Sequence, residues 1–191
     1  MNKALIVIDY TNDFIADNGK LTCGKSGQKI EKNIEQRIKD FLTNPINDCD
    51  AGDNFVIFVN DLHKKNENNH PENKLFPTHN IEGTEGRKLY GRVGKLYDEI
   101  KDKENVIYLD KIRYSAFAGT NLEIILRQNK IQEIELCGVC TDICVLHTAV
   151  DAYNKGFYAQ INSNCVASFN QIGHEWAINH FKNTLGFGIK K

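Results

Sequence analysis

Five side chains in this 191-residue sequence stand where apolar runs give way to polar ones: Asp9, Asp61, His63, Lys111 and Cys144. A thiol that attacks a carbonyl needs a base, a charge that organises the base, and donors for the oxyanion. Cys144 can supply the thiol and Asp9 can take its proton. Lys111 can orient Asp9 and hold negative charge at the site. The backbone N–H groups of Cys140 and Cys144 can face the oxyanion, because the chain is expected to turn there from strand to helix. Cys144 is expected in the first turn of that helix, where unpaired N–H groups and the helix dipole favour a thiolate. Taken alone, Cys144 reads as a small buried hydrophobe. The charged residues at the other strand ends change that reading.

A second group carries different chemistry. Asp61 and His63 have Asp-x-His spacing at a strand end, and Glu72 and His79 return through the long polar segment that follows. Two imidazoles and two carboxylates suit zinc, with manganese or iron as alternatives. His70 competes with Glu72 for the same role. The spacing by itself is not diagnostic of a metal.

These residues need a scaffold that brings strand ends together. Apolar, β-branched runs at 4–8, 54–60, 106–109, 134–138 and 157–161 read as buried strands. Helical periodicity covers 27–42, 88–100, 142–156 and 171–184, and Thr120 with Glu123 has capping-box spacing ahead of another helix. Pro45 to Gly52 reads as a turn region, and 187–189 as an edge strand. Alternation of this kind predicts an α/β fold of three layers, α/β/α, with a mostly parallel sheet and helices on both faces. Ligands in such sheets bind beyond the C-terminal strand ends. One domain over 1–191 is expected, with a metal-binding loop at about 61–87.

Composition narrows the partners. A hydrophobic fraction of 41% and a formal charge of −1 argue against disorder, nucleic acid and anionic membrane. No apolar run is long enough for a membrane span or a signal peptide. Six cysteines without an export signal predict free thiols and a cytoplasmic location.

The chain also resembles the nicotinamidases among the isochorismatase-like cysteine hydrolases. The resemblance rests on LIVIDYTNDF, on NDLH followed by HPENKLFPTHNIEGTEGRKLYG, on LDKIRYSAFAGTNLE and on GVCTDICVLHTAVDAY, which together run over nearly the whole length. It implies the isochorismatase-like hydrolase fold and a triad of Asp9, Lys111 and Cys144. It implies one divalent metal, Zn2+ first and Mn2+ or Fe2+ next, on Asp61, His63, Glu72 and His79. It places Phe14, Phe76, Tyr114 and Val139 around a pyridine ring, with a cis peptide between Val139 and Cys140. The activity it implies is hydrolysis of nicotinamide to nicotinate and ammonia in NAD salvage, by a homo-oligomer. The alternatives are a related hydrolase of another small amide or carbamoyl substrate, and a non-catalytic zinc or redox protein using Cys140 and Cys144. Two features depart from the family pattern: Glu72, a histidine in some members, and Cys140, where a small or aliphatic residue is usual.

Overall fold

Among the described residues six strands, β1 (Lys3–Ile8), β2 (Asn54–Asp61), β3 (Val106–Lys111), β4 (Glu133–Val139), β5 (Tyr158–Ala167) and β6 (Gly188–Lys190), form one sheet. The computed structural model describes residues 2–43 and 54–190. The sheet order is β3-β2-β1-β4-β5-β6, with every pairing parallel. Successive side chains of a strand point to opposite faces. Ala4, Ile6 and Ile8 accordingly join one apolar core, while Leu5 and Val7 join the other. Helices α5 (Leu122–Gln128), α6 (Leu146–Asn154) and α7 (Gln171–Asn183) cover the first face. Helices α3 (Glu31–Thr43) and α4 (Gly91–Ile100) cover the second. The three-layer α/β/α arrangement is the one that the alternation of elements predicts.

This strand order reverses direction between β1 and β4. The crevice beyond the C-terminal ends of such a pair is where open parallel sheets bind ligands. Asp9 follows β1, Cys140 follows β4, and Asp61 and Lys111 end β2 and β3. The topology therefore gathers the candidate residues at one rim.

Several local expectations change. The helix predicted over 27–42 is two helices, α2 (Gly24–Lys29) and α3, preceded by the short α1 (Asn12–Ile15). The helix predicted from residue 88 begins at Gly91. Thr120 does not form a capping box with Glu123. Its hydroxyl donates to Ala116 O and accepts from the Leu122 N–H, while Glu123 pairs with Arg127 and Lys155. β5 runs on to Ala167 because an irregularity opposite Leu136–Gly138 lets Val166 pair again with Gly138. The expected turn at 45–52 lies outside the described residues. Among the described residues no helix is long and apolar enough to cross a membrane.

Gly138 makes the close approach of β4 to β1 feasible. Its φ is +111°, and a Cβ there would lie 2.0 Å from the Ile8 carbonyl oxygen. Gly138→Ala should therefore lower unfolding free energy by more than about 2 kcal/mol, through strain at a special φ and a backbone clash. Urea denaturation monitored by circular dichroism measures it, and an unchanged midpoint would contradict this reading of the β1–β4 contact.

Candidate active site

Lys111 is the centre of the rim. Its side chain is fully buried, with Nζ 2.7 Å from Asp9 Oδ2 and 3.6 Å from Cys144 Sγ, and it donates to Asp61 Oδ1. An ammonium in a buried position needs such partners, because burial favours the neutral amine. Here Asp61 and Asp9 outweigh burial and hold the Lys111 pKa well above its ordinary value. Asp9 in turn accepts the Asp61 backbone N–H at 2.8 Å, so β1 and β2 are locked at the same point. Its backbone sits at φ +54°, a left-handed conformation uncommon for a residue other than glycine. Asp9, Asp61 and Cys144 each present an atom within 4.8 Å of the others.

The two carboxylates differ in character. Burial, and next the charge of Asp61, push Asp9 up to about 7 despite Lys111. Burial acts on Asp61 as well, but Lys111 and His79 outweigh it and hold the group down at about 2. Near neutral pH, Asp9 can thus exchange a proton while Asp61 stays ionised.

Cys144 departs from the predicted setting. Thr141–Val145 is a π-helical turn rather than the first turn of an α-helix, with the Val145 N–H donating to Cys140 O at 3.1 Å. Burial pushes the thiol well above its ordinary pKa, and Asp9 and Asp61 add to this against Lys111. The resting group is therefore a thiol, not the thiolate expected from a helix terminus. Its carbonyl is held by the Thr148 hydroxyl, which also accepts the Ala116 N–H. The Val139–Cys140 peptide is cis.

Beside this centre, Asp61, His63, Glu72 and His79 converge, all buried, with one donor atom of each within 4.8 Å of the others. Asp61 Oδ2, His63 Nε2 and His79 Nε2 are buried without a hydrogen-bond partner. His79 Nε2 lies 3.7 Å from both Asp61 Oδ2 and Glu72 Oε2, too far for hydrogen bonds. Such separations suit atoms on one ion, since two ligands roughly 2.0–2.2 Å from a shared zinc cannot stand more than about 4.4 Å apart. Tautomers agree: His79 Nδ1 donates to Pro77 O at 2.8 Å, so the neutral ring carries its lone pair on Nε2. Burial pushes His63 down to about 4, so its imidazole is neutral near pH 7. Burial also opposes charge on His79, but Asp61, Pro77 O and Glu72 outweigh it and raise its pKa. The cluster attracts positive charge, and its donors fit a divalent cation. His70 stands outside the set. Its Nδ1 faces the Glu72 N–H, its Nε2 lies against both Ile112 O and Arg113 Nη1, and its ring packs edge-on against His63.

The loop that carries these donors is tied to the sheet through Asn80. Its N–H donates to Asp13 Oδ2 at 2.7 Å, its carbonyl accepts the His63 N–H, and its side-chain oxygen accepts from Thr11. Gly86 has no Cβ to collide with the Asp13 carboxylate. One residue thus fixes the backbone beside His63 and directly after His79.

A narrow cleft opens onto both groups. Phe14, Phe76 and Tyr114 line it, as do Cys140, Cys144 and the donors Asp61, Glu72 and His79. Val139 does not; it is fully buried in the core on the α3–α4 face. Leu21, Ile143 and Phe169 line the cleft and escape the sequence reading. Phe169 escapes because the strand expected at 157–161 runs on to Ala167, which brings Phe169 to the rim. Asp13 and Asn80 carry no signal in the sequence, because the Asp13 carboxylate serves backbone N–H groups and Asn80 ties the loop largely through its own main chain. Cys137 and Cys140 have C-x-x-C spacing, which corrects the reading that no such pair occurs. Their sulfurs part, Cys137 toward Ile6 O and Cys140 to within 3.5 Å of Cys23 Sγ.

The isochorismatase domain family matches residues 3–188 of this sequence. The chain belongs to the isochorismatase family. An isochorismatase-family relative, the Bacillus subtilis protein PncA, named as uncharacterized, is 55% identical over 186 residues, 97% of each chain. A crystal structure of nicotinamidase/pyrazinamidase PncA from Bacillus subtilis superposes with a TM-score of 0.93 at 55% identity, covering 100% of both chains. A further solved structure, pyrazinamidase of Pyrococcus horikoshii in complex with zinc, gives a TM-score of 0.81 at 26% identity over 99% and 98% of the two chains. Membership makes this protein an isochorismatase-family hydrolase with the corresponding fold.

Removing the Asp13 carboxylate leaves the buried Asn80 N–H unpaired. If the four donors take up a divalent cation, Asp13→Ala should weaken that uptake by about 10- to 100-fold, the range for loss of outer-shell support, with added Zn2+ as the probe. Competition with a chromophoric chelator measures it. Wild-type affinity in Asp13→Ala would show that Asn80 does not position the donors.

Proposed function

We propose that this protein hydrolyses nicotinamide to nicotinate and ammonia through a thioester on Cys144, a step of NAD salvage. The observation that carries the reading is the contact of buried Lys111 with Asp9, Asp61 and Cys144, beside a cation-attracting donor cluster on one small cleft. The nicotinamidase/pyrazinamidase from Bacillus subtilis, similar over the whole chain, supports the substrate class.

The proton inventory sets the sequence of events. The resting pair is a Cys144 thiol and an Asp9 carboxylate, the latter pushed up to about 7. Asp9 takes the thiol proton as sulfur attacks the amide carbon, and Lys111 offsets the charge gathering on Sγ. The backbone N–H groups of Cys140 and Cys144 receive the oxyanion. Asp9 then passes its proton to the amide nitrogen as the C–N bond breaks, and ammonia leaves. Next it removes a proton from water, which cleaves the thioester to nicotinate and restores the thiol. A base near neutrality suits a group that must both accept and return a proton.

Asp61, His63, Glu72 and His79 would hold a divalent cation, Zn2+ first and Mn2+ or Fe2+ next. Bound there, the ion would supply a Lewis-acidic anchor for the pyridine nitrogen. The zinc complex of the Pyrococcus horikoshii pyrazinamidase supports that choice. Phe14, Phe76 and Tyr114 would flank the ring. A redox pair of Cys140 and Cys144 draws no support, since the Cys140 sulfur contacts Cys23.

Cys144→Ala should lower ammonia release from nicotinamide by roughly 10³-fold or more while Zn2+ stoichiometry stays at the wild-type value. Residual activity near wild type would defeat the covalent route. For the pH profile, burial and Asp61 raise Asp9, so the reactive carboxylate form is lost as pH falls through that raised value. The acid limb of kcat/KM should lie above the ordinary carboxylate range and no higher than about 7. A limb near 4 would contradict a raised Asp9 carboxyl in the working enzyme.

A further inference from the structure

We propose that Phe169 is the residue that limits this site to single-ring carboxamides, by closing the cleft against Phe76. The inference rests on the nicotinamidase reading and deepens it.

The two rings come from opposite rims. Phe76 follows the turn Pro71–Lys74, and its N–H donates to Glu72 O at 2.9 Å, so it is fixed to the donor cluster. Phe169 follows β5. The preceding Ser168 is buried, donates from its hydroxyl to Asp142 Oδ1 at 2.6 Å, and accepts the Asn170 N–H. Asp142 belongs to the turn that carries Cys144. Thr141 of that turn also bonds His174 of α7 at 2.8 Å, which holds the segment after β5 against the nucleophile. One aromatic ring is thereby anchored to the cation cluster and the other to the thiol turn.

They meet edge to face, with centroids 6.5 Å apart and planes at 67°. This contact spans the cleft that both residues line. Phe169 is 44% exposed, an apolar ring held partly in solvent at the rim. A flat ring bound in the cleft would cover it, so the same side chain excludes water from the substrate and blocks a larger one. The cleft is narrow, with room for only about 10 Å3 between its walls as they stand, far below the roughly 300–1,000 Å3 usual for drug-sized ligands. A second fused ring has to displace Phe169, whose backbone is held by the Ser168–Asp142 bond.

Ammonia release from nicotinamide and from its fused two-ring analogue quinoline-3-carboxamide tests this in wild type, Phe169→Ala and Phe169→Leu. The kcat/KM ratio of quinoline-3-carboxamide to nicotinamide is expected to rise at least tenfold in Phe169→Ala. In Phe169→Leu, which keeps most of the bulk, it should stay close to wild type. The KM for nicotinamide should rise several-fold in Phe169→Ala, by more than kcat falls. A ratio unchanged within twofold, with nicotinamide turned over by all three proteins, overturns the role of Phe169 alone. Wild-type protein that releases no ammonia from nicotinamide overturns the nicotinamidase reading and this inference with it.

Discussion

A fully buried ammonium is the constraint on which the rest of this structure turns. Lys111 ends β3, and its charge is met by Asp9 after β1, by Asp61 at the end of β2 and by the sulfur of Cys144 beyond β4. Removing one member of a buried ionic group commonly costs about 3–5 kcal/mol, because the remaining charges stay buried and unpaired. The strand ends are therefore not free to drift apart. The order β3-β2-β1-β4 is the topology that brings these contributors side by side, and Gly138 lets the β4 end come close enough to β1.

Asp61 joins two regions that the sequence separates. One of its oxygens takes the Lys111 ammonium, and the other faces His79 across the donor cluster. A cation held by that cluster and a proton moving between Asp9 and Cys144 would thus be felt through one carboxylate. Because Lys111 and His79 hold Asp61 ionised while burial and Asp61 itself raise Asp9, the pair divides into a permanent charge and an exchangeable one. Divergent neighbouring carboxyl groups of this sort are what acid–base chemistry near neutral pH requires.

The sheet was legible because its strands are short apolar runs ending in charge, and the helix periods alternate with them. The convergence of Asp9, Asp61, His63, Lys111 and Cys144 followed from the rule that parallel sheets present their C-terminal ends together. The local turn at Cys144 was not legible. A π-helical turn and an α-helical first turn have the same residue pattern here, and only burial reveals that the thiol is protonated at rest. Thr120 and Glu123 show the same limit, since both have better partners in Ala116, Arg127 and Lys155 than in each other. His70 and Glu72 could be separated only once both His70 nitrogens were seen to be committed to backbone groups and Arg113. The bonds of Asn80 to Asp13 and His63 run through main-chain atoms, which no side-chain pattern encodes.

The central claim is that the groups around Lys111 act together on one acyl carbon, through sulfur. Turnover of nicotinamide in the presence of hydroxylamine tests it most directly, because a thioester partitions between water and the added nucleophile. The account predicts that nicotinohydroxamate forms at the expense of nicotinate, and that acid-quenched protein carries the nicotinoyl group on the peptide containing Cys144. Steady ammonia release with no hydroxamate at any hydroxylamine concentration, and no acyl group on that peptide, would contradict it.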